Sequence, residues 1–369
     1  MEWNVRKPLV VLLKIGVSVA ILAYLVYDAT RDPSLVANLR DQPKQWGLFV
    51  AAGFLCGGAV MLTLVRWHFL VRALEVPTRL AGSLRIALLG YLFNMAPVGI
   101  AGGDFVKAVM LTRSHQDCMA KSVASVVVDR LIGLYTLFVV ASVAIVLTGF
   151  RALPNETIRV ICDATIWATV AGTVLIGLLM VPAVTDGKLA RSIERIPRAG
   201  PALGSLIEAV RMYRRRPLVL VVAAVLSIGV HSLFATGVYC ITRGLPGNVH
   251  SLAHHFVIMP LSASTGTLPL PFGPFEAVLE FLYTHVPLAT GAVAKGQGLV
   301  VALGYRLITV VVAMIGACYY VAARREVAQV VHDAERQPGI GQGPTTVMST
   351  RRPAARIVRD DAIAGVSAR

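Results

Sequence analysis

Arg130 and Arg306 each stand within a long apolar stretch, and each follows a carboxylate set beside a Gly/Pro-rich break. Asp104 precedes Arg130 by 26 positions, and Glu276 precedes Arg306 by 30. Ionisable side chains at membrane depth are costly and usually face a cavity or a partner. A guanidinium can grip a phosphate through two parallel N–H bonds. Lys107 follows Asp104 by one helical turn, Asp129 adjoins Arg130, and Gly102, Gly103 and Gly273 flank the carboxylates. Two readings are open. In one, Asp104 and Glu276 cap their own helices and pair with the arginines as structural ion pairs. In the other, the arginines line a cavity for a phosphate-bearing headgroup, while the acids gate it or meet a cationic group of the ligand.

Other reactive residues promise less. His231 and the pair His254-His255 lack a ligand partner at metal spacing. Ser262 and Ser264 have no nucleophile elbow, so no catalytic centre, metal or cofactor is expected. Glu280, one turn beyond Glu276, has no assignment. Gly53 and Gly57 read as helix-packing positions.

The elements that must hold these groups follow from composition. The chain has 369 residues, 56% hydrophobic and 15% charged, with a mean hydropathy of +0.69. Soluble domains carry about 25% charged residues, so a soluble enzyme, a secreted disulfide module and a disordered chain are all excluded. The net charge of +15 sits between apolar runs, which argues for one charged membrane face and against nucleic acid. Five cysteines without a CxxC give neither a disulfide framework nor a metal cage.

Six runs are long enough to span a bilayer: 8–27, 47–65, 123–148, 159–184, 218–242 and 297–322. The first exceeds a signal-peptide core and reads as a retained anchor. Basic residues concentrate in 66–85, beginning at Arg66, and in 185–217, while 149–158 and 243–255 hold one each. Cationic loops stay cytoplasmic, so both termini are expected inside.

That topology leaves 86–112 entering and leaving from the cytoplasmic face, with a break at 97–103. It leaves 252–286 doing the same from the outer face, with a break at 266–274. Each is expected to form a re-entrant helical hairpin. Broken backbone at membrane depth is tolerated only inside protein or along a cavity. The fold class expected is therefore an all-α polytopic membrane protein. It has six spans and two hairpins arranged as an inverted repeat, 1–148 against 159–322. Interrupted apolar segments in matching places mark a transporter-type site. The segment 185–217 is expected to be an amphipathic helix pair broken at 197–201, and 323–369 a largely disordered cytoplasmic tail.

Three stretches carry a resemblance: Gly90-Tyr91-Leu92-Phe93-Asn94-Met95-Ala96-Pro97, Gly102-Gly103-Asp104-Phe105-Val106-Lys107 and Val128-Asp129-Arg130-Leu131. With Gly273-Pro274-Phe275-Glu276, they make the chain similar to the lysylphosphatidylglycerol synthase transmembrane region, a flippase-like family. The resemblance covers about 8–322. It implies an inner-membrane protein whose relatives move aminoacylated phospholipid between leaflets; with the arginine reading above, the expected substrate is an anionic phospholipid or a polyprenyl-phosphate-type lipid. Synthase activity is not expected, since 47 residues follow the last span and the family's catalytic domain needs more. The alternative is a non-transporting subunit assisting a separate glycosyl- or aminoacyl-transferase.

Overall fold

The computed structural model describes residues 6–95, 102–114, 119–185, 200–268, 270, 272–288 and 293–322, and all regular structure among them is helical. The expected break at 97–101, residues 186–199 of the basic segment and the tail 323–369 lie outside the described residues.

The first half holds α1 (Arg6–Thr30), α2 (Pro33–Asp41), α3 (Trp46–Ala73), α4 (Leu80–Met95), α5 (Gly102–Ser114) and α6 (Met119–Thr148). The second holds α7 (Glu156–Met180), α8 (Pro182–Thr185), α9 (Gly200–Arg214), α10 (Pro217–Gly244), α11 (Leu252–Ser264), α12 (Pro274–His285) and α13 (Gln297–Ala322). Local chemistry sets several of these limits. Asn155 accepts the Ile158 N–H at 3.2 Å and starts α7, as a short polar N-cap should. Pro182 forces Val181 out of helical geometry, so α7 stops at Met180, four residues before the expected end at 184. Ser251 caps α11, and Pro217 opens α10 at its first turn, where a missing N–H costs nothing.

Among the described residues, five helices are long and apolar enough to cross a membrane: Trp46–Ala73, Lys121–Thr148, Glu156–Met180, Pro217–Gly244 and Gln297–Met314. The expected span 8–27 lies within α1, whose described apolar portion, Gly16–Thr30, is a shorter apolar helix. Phe54, Leu147, Trp167, Leu218 and Leu307 are all exposed on the outer faces of these helices. So much exposed apolar surface suits lipid and not water.

α3 and α10 run antiparallel along most of their length. Phe49 meets Gly244, Cys56 meets Gly237, Leu62 meets Gly229 and Arg66 meets Ser227. Gly53 and Gly57, expected at a helix contact, face open space, and Cys56 makes the close approach instead. The expectation failed because hydropathy alone does not show which stripe of an all-apolar helix faces its neighbour.

α3 also corrects the end of the second span. It continues to Ala73, eight residues past the expected limit at 65, and Arg66 is buried within it instead of lying in a loop. Asp129 on α6 accepts from Arg66 Nε at 2.8 Å, and Ser227 on α10 accepts from Arg66 Nη1 at 2.6 Å. A charged residue ends an apolar run in sequence but not in space when its partner waits on another helix.

Two large apolar cores result among the described residues, beside a small cluster of Ala29, Leu35 and Leu299. One gathers Trp67, Leu70, Leu89, Leu111, Val126 and Tyr213 around α3, α4 and α5. The other gathers Ile145, Ile158, Ile241, Ile258, Leu279 and Leu282 around α11 and α12. α4 packs on α5 and α11 on α12. At the first crossing the backbones nearly touch: a Cβ at Gly103 would lie 1.5 Å from the Gly90 carbonyl oxygen. Gly103→Ala should therefore push α4 and α5 apart, by overpacking worth about 1–3 kcal/mol or more. A loss of monodisperse protein, or a lowered unfolding midpoint in detergent, checks this; unchanged stability would mean the helices do not cross there.

Candidate functional site

The site is best built outward from Glu276. This residue stands in the first turn of α12 with its side chain 1% exposed. Its Oε2 accepts the Gly273 N–H at 2.7 Å, closing the helix start as a cap. Gly273 has φ +105 and packs against Ile21 of α1, a backbone state that glycine tolerates best. Glu276 Oε1 accepts from Arg306 Nε on α13 at 2.7 Å. The carboxylate thus performs both tasks of the first reading, and both its oxygens are used.

Arg306 is held but not consumed. Its side chain is 25% exposed, and its guanidinium carbon lies 5.3 Å from the ring centres of both Phe272 and Phe275. Such aromatic faces steady a cation. Its Nε is spent on Glu276, and its two terminal nitrogens have no hydrogen-bond partner among the described residues. Arg306 borders a cavity of about 310 Å³ that Asn94, Thr265, Gly266, Leu268 and Pro274, among others, also line. The cavity therefore lies between the end of α4 and the break separating α11 from α12.

Asn94 joins this cavity to the first half of the chain. Its Oδ1 accepts the Gly103 N–H at 2.8 Å, capping α5 from the neighbouring helix. Gly102 there has φ +26. The cap is thus supplied by Asn94, and Asp104 does not bond the N–H groups of its own helix. Asp104 Oδ2 instead accepts from Arg130 Nε at 2.6 Å, and Oδ1 lies 3.5 Å from Lys107 Nζ without a hydrogen bond. Lys107 is buried, with its ammonium 5.8 Å from the Trp67 ring centre.

The two expected arginines differ in setting. Arg130 is 59% exposed and is not among the described residues lining the cavity that Arg306 borders. Asp129, next to it, points elsewhere, because consecutive helical residues diverge by about 100°. It is bonded to Arg66 in the α3–α6–α10 core and sits apart from the cavity. Glu280, unassigned from sequence, accepts the N–H groups of Gly296 at 2.7 Å and Leu299 at 2.9 Å, so it caps α13 and thereby sets the register of Arg306. Lys295 beside it donates to Asp28 at 2.8 Å, which holds that ammonium above its usual pKa.

The remaining candidates are satisfied within the fold except His254, whose Nδ1 is buried without a hydrogen-bond partner among the described residues. His231 bonds the Gly133 carbonyl at 3.0 Å, and Ser262 and Ser264 bond carbonyls of their own helix. His255 shares a buried network with Tyr283 and Thr242. Sequence reasoning missed Asn94, Phe272 and Phe275 as neighbours of the site. An asparagine in an otherwise apolar arm was the one available signal; the aromatic rings offered none.

Exposed apolar helices around buried ion pairs define an integral membrane protein. The family model for the lysylphosphatidylglycerol synthase TM region matches residues 11–317, and the chain belongs to that family. No curated protein matches the chain.

Proposed function

We propose that the protein moves a lipid with an anionic phosphate headgroup, of phospholipid or polyprenyl-phosphate type, between the leaflets of a prokaryotic inner membrane, with no bond made or broken. Arg306 takes the phosphate. The observation that carries this reading is its guanidinium: oriented by a buried carboxylate, flanked by two aromatic rings, with both terminal nitrogens unbonded among the described residues, on a side chain that lines a cavity. A phosphate accepts such a pair of donors bidentately. Arg130, also paired through Nε alone, offers a second contact along the path. Asp104 orients Arg130 as Glu276 orients Arg306. Gly102, Gly103, Gly273 and Lys107 fix the two helix crossings, and Asp129 holds the core beside them.

In this reading α1 supplies a sixth span, and α4–α5 and α11–α12 are hairpins entering from opposite faces. The halves 1–148 and 159–322 form an inverted repeat, with 185–217 and both termini cytoplasmic. Matching contacts support it. α3 and α10, the corresponding second spans, lie antiparallel. α6 packs on α11 as α13 packs on α4. The pair Asp104–Arg130 recurs as Glu276–Arg306, each through the arginine Nε. Membership in the family fits a lipid-related role.

Reconstitution of the full chain into liposomes is the test, with labelled phosphatidylglycerol and labelled phosphatidylcholine compared for leaflet exchange. Exchange of the anionic lipid above the protein-free rate is expected. No exchange for any phosphate-bearing lipid, with a transferase co-purifying, would transfer the reading to a non-transporting subunit.

A further inference from the structure

A second cationic cavity, of about 470 Å³, lies away from Arg306, where the C-terminal end of α3, the first turn of α6, α9 and the start of α10 meet. Lys121, Arg211, Arg215 and Arg216 line it, together with Glu75 and Glu208. Two of these charges are already engaged with each other: Arg216 donates to Glu75 at 2.5 Å. Glu75 is the non-glycine residue among those described with positive φ, +61, so the pair holds a strained corner at the rim. Arg211 donates to the carbonyl of Thr185. Lys121 and Arg215 have no partner among the described residues, and neither does Glu208. The cavity thus carries an excess of positive charge, with two cations available to a ligand.

Its depth in the bilayer is set by its walls. Ala73 ends one candidate span, Lys121 begins another and Pro217, next to Arg216, begins a third. Three spans reach their limits at this cavity, which places it at the height of lipid headgroups. Tyr213, donating to the Leu70 carbonyl at 2.9 Å, clamps α9 across the end of α3 and keeps the cavity formed. Basic pockets between spans at a membrane surface favour anionic headgroups.

We infer that this cavity is a phosphate-anion site separate from the Arg306 cavity, held by Lys121 and Arg215. The ligand is the phosphate of an anionic lipid or a soluble phosphate of the same chemistry. A ligand that binds only the folded state raises the unfolding midpoint in a saturable way. The full chain in uncharged detergent is therefore titrated with phosphatidylglycerol, with phosphatidylcholine and with inorganic phosphate, following the thermal midpoint. Phosphatidylglycerol should raise it and phosphatidylcholine should not; a rise with inorganic phosphate alone would identify a soluble ligand at the same site. Lys121→Gln/Arg215→Gln should weaken the apparent affinity about tenfold or more, as expected for lost charge-assisted bonds. Glu208→Gln should strengthen it, a gain that misfolding cannot mimic. The double variant is also compared in an Arg306→Gln background, where the roughly tenfold difference should persist, which separates the site from the proposed transport path. Equal stabilisation by both lipids, or an unaltered titration in the double variant and in Glu208→Gln, overturns the inference.

Discussion

Arg306→Gln should reduce protein-dependent exchange of an anionic lipid to the protein-free background. The substitution removes the charge and both terminal nitrogens and leaves a shorter, polar side chain beside the cavity. Hydrogen bonds to charged groups contribute about 1.5–3 kcal/mol, so headgroup affinity should fall about tenfold to a hundredfold. Stability should fall as well, because Glu276 is left buried without its cation. Breaking a buried pair costs about 3–5 kcal/mol, and the partial exposure of Arg306 puts this pair at the lower end. Arg306→Gln/Glu276→Gln, neutral on both sides, should recover most of the unfolding midpoint while exchange stays lost. Arg306→Lys should restore part of the exchange, since an ammonium attracts phosphate but cannot bind it bidentately. Full exchange in a folded Arg306→Gln protein would remove the phosphate role from this residue.

The largest purely structural effect is expected at Asp129. Asp129→Ala leaves Arg66 with its side chain 6% exposed and no carboxylate in reach. The cost should be about 3–5 kcal/mol, read as a fall in the unfolding midpoint of the full chain in detergent. Arg66→Met/Asp129→Leu should recover most of it, because apolar side chains of similar volume replace a buried pair with little loss. Arg130→Gln, one residue away but more than half exposed, should change stability by about 1 kcal/mol or less. Similar losses at Asp129 and Arg130 would contradict the division of these neighbours between core and surface.

Reading the chain as a sequence captured the second helical break closely. Segment 252–286, expected broken at 266–274, contains α11 ending at Ser264 and α12 beginning at Pro274. Glycine and proline punctuate backbone locally, so their message survives without tertiary information. The two acid–arginine pairs were also legible, because a charge in an apolar run needs a partner and few were available. Arg66 was not: it looked like the first residue of a basic loop, and its partners lie 63 and 161 positions away. Glu280 gave no clue for the same reason, since the N–H groups it caps belong to the following helix.

Composition and hydropathy alone determined that this chain lives in a membrane as helices, with two of its apolar segments interrupted by glycine and proline. These are properties of short windows, set by transfer of side chains and by backbone sterics. Tertiary structure decided which of two adjacent residues, Asp129 or Arg130, turns inward. It also assigned the cap of α5 to Asn94 on another helix, and left Arg306 open to a cavity while burying its carboxylate. Those outcomes depend on the rotation of each helix about its axis. In helices apolar on every side that angle is fixed by contacts with neighbours, and a hydropathy pattern does not contain it.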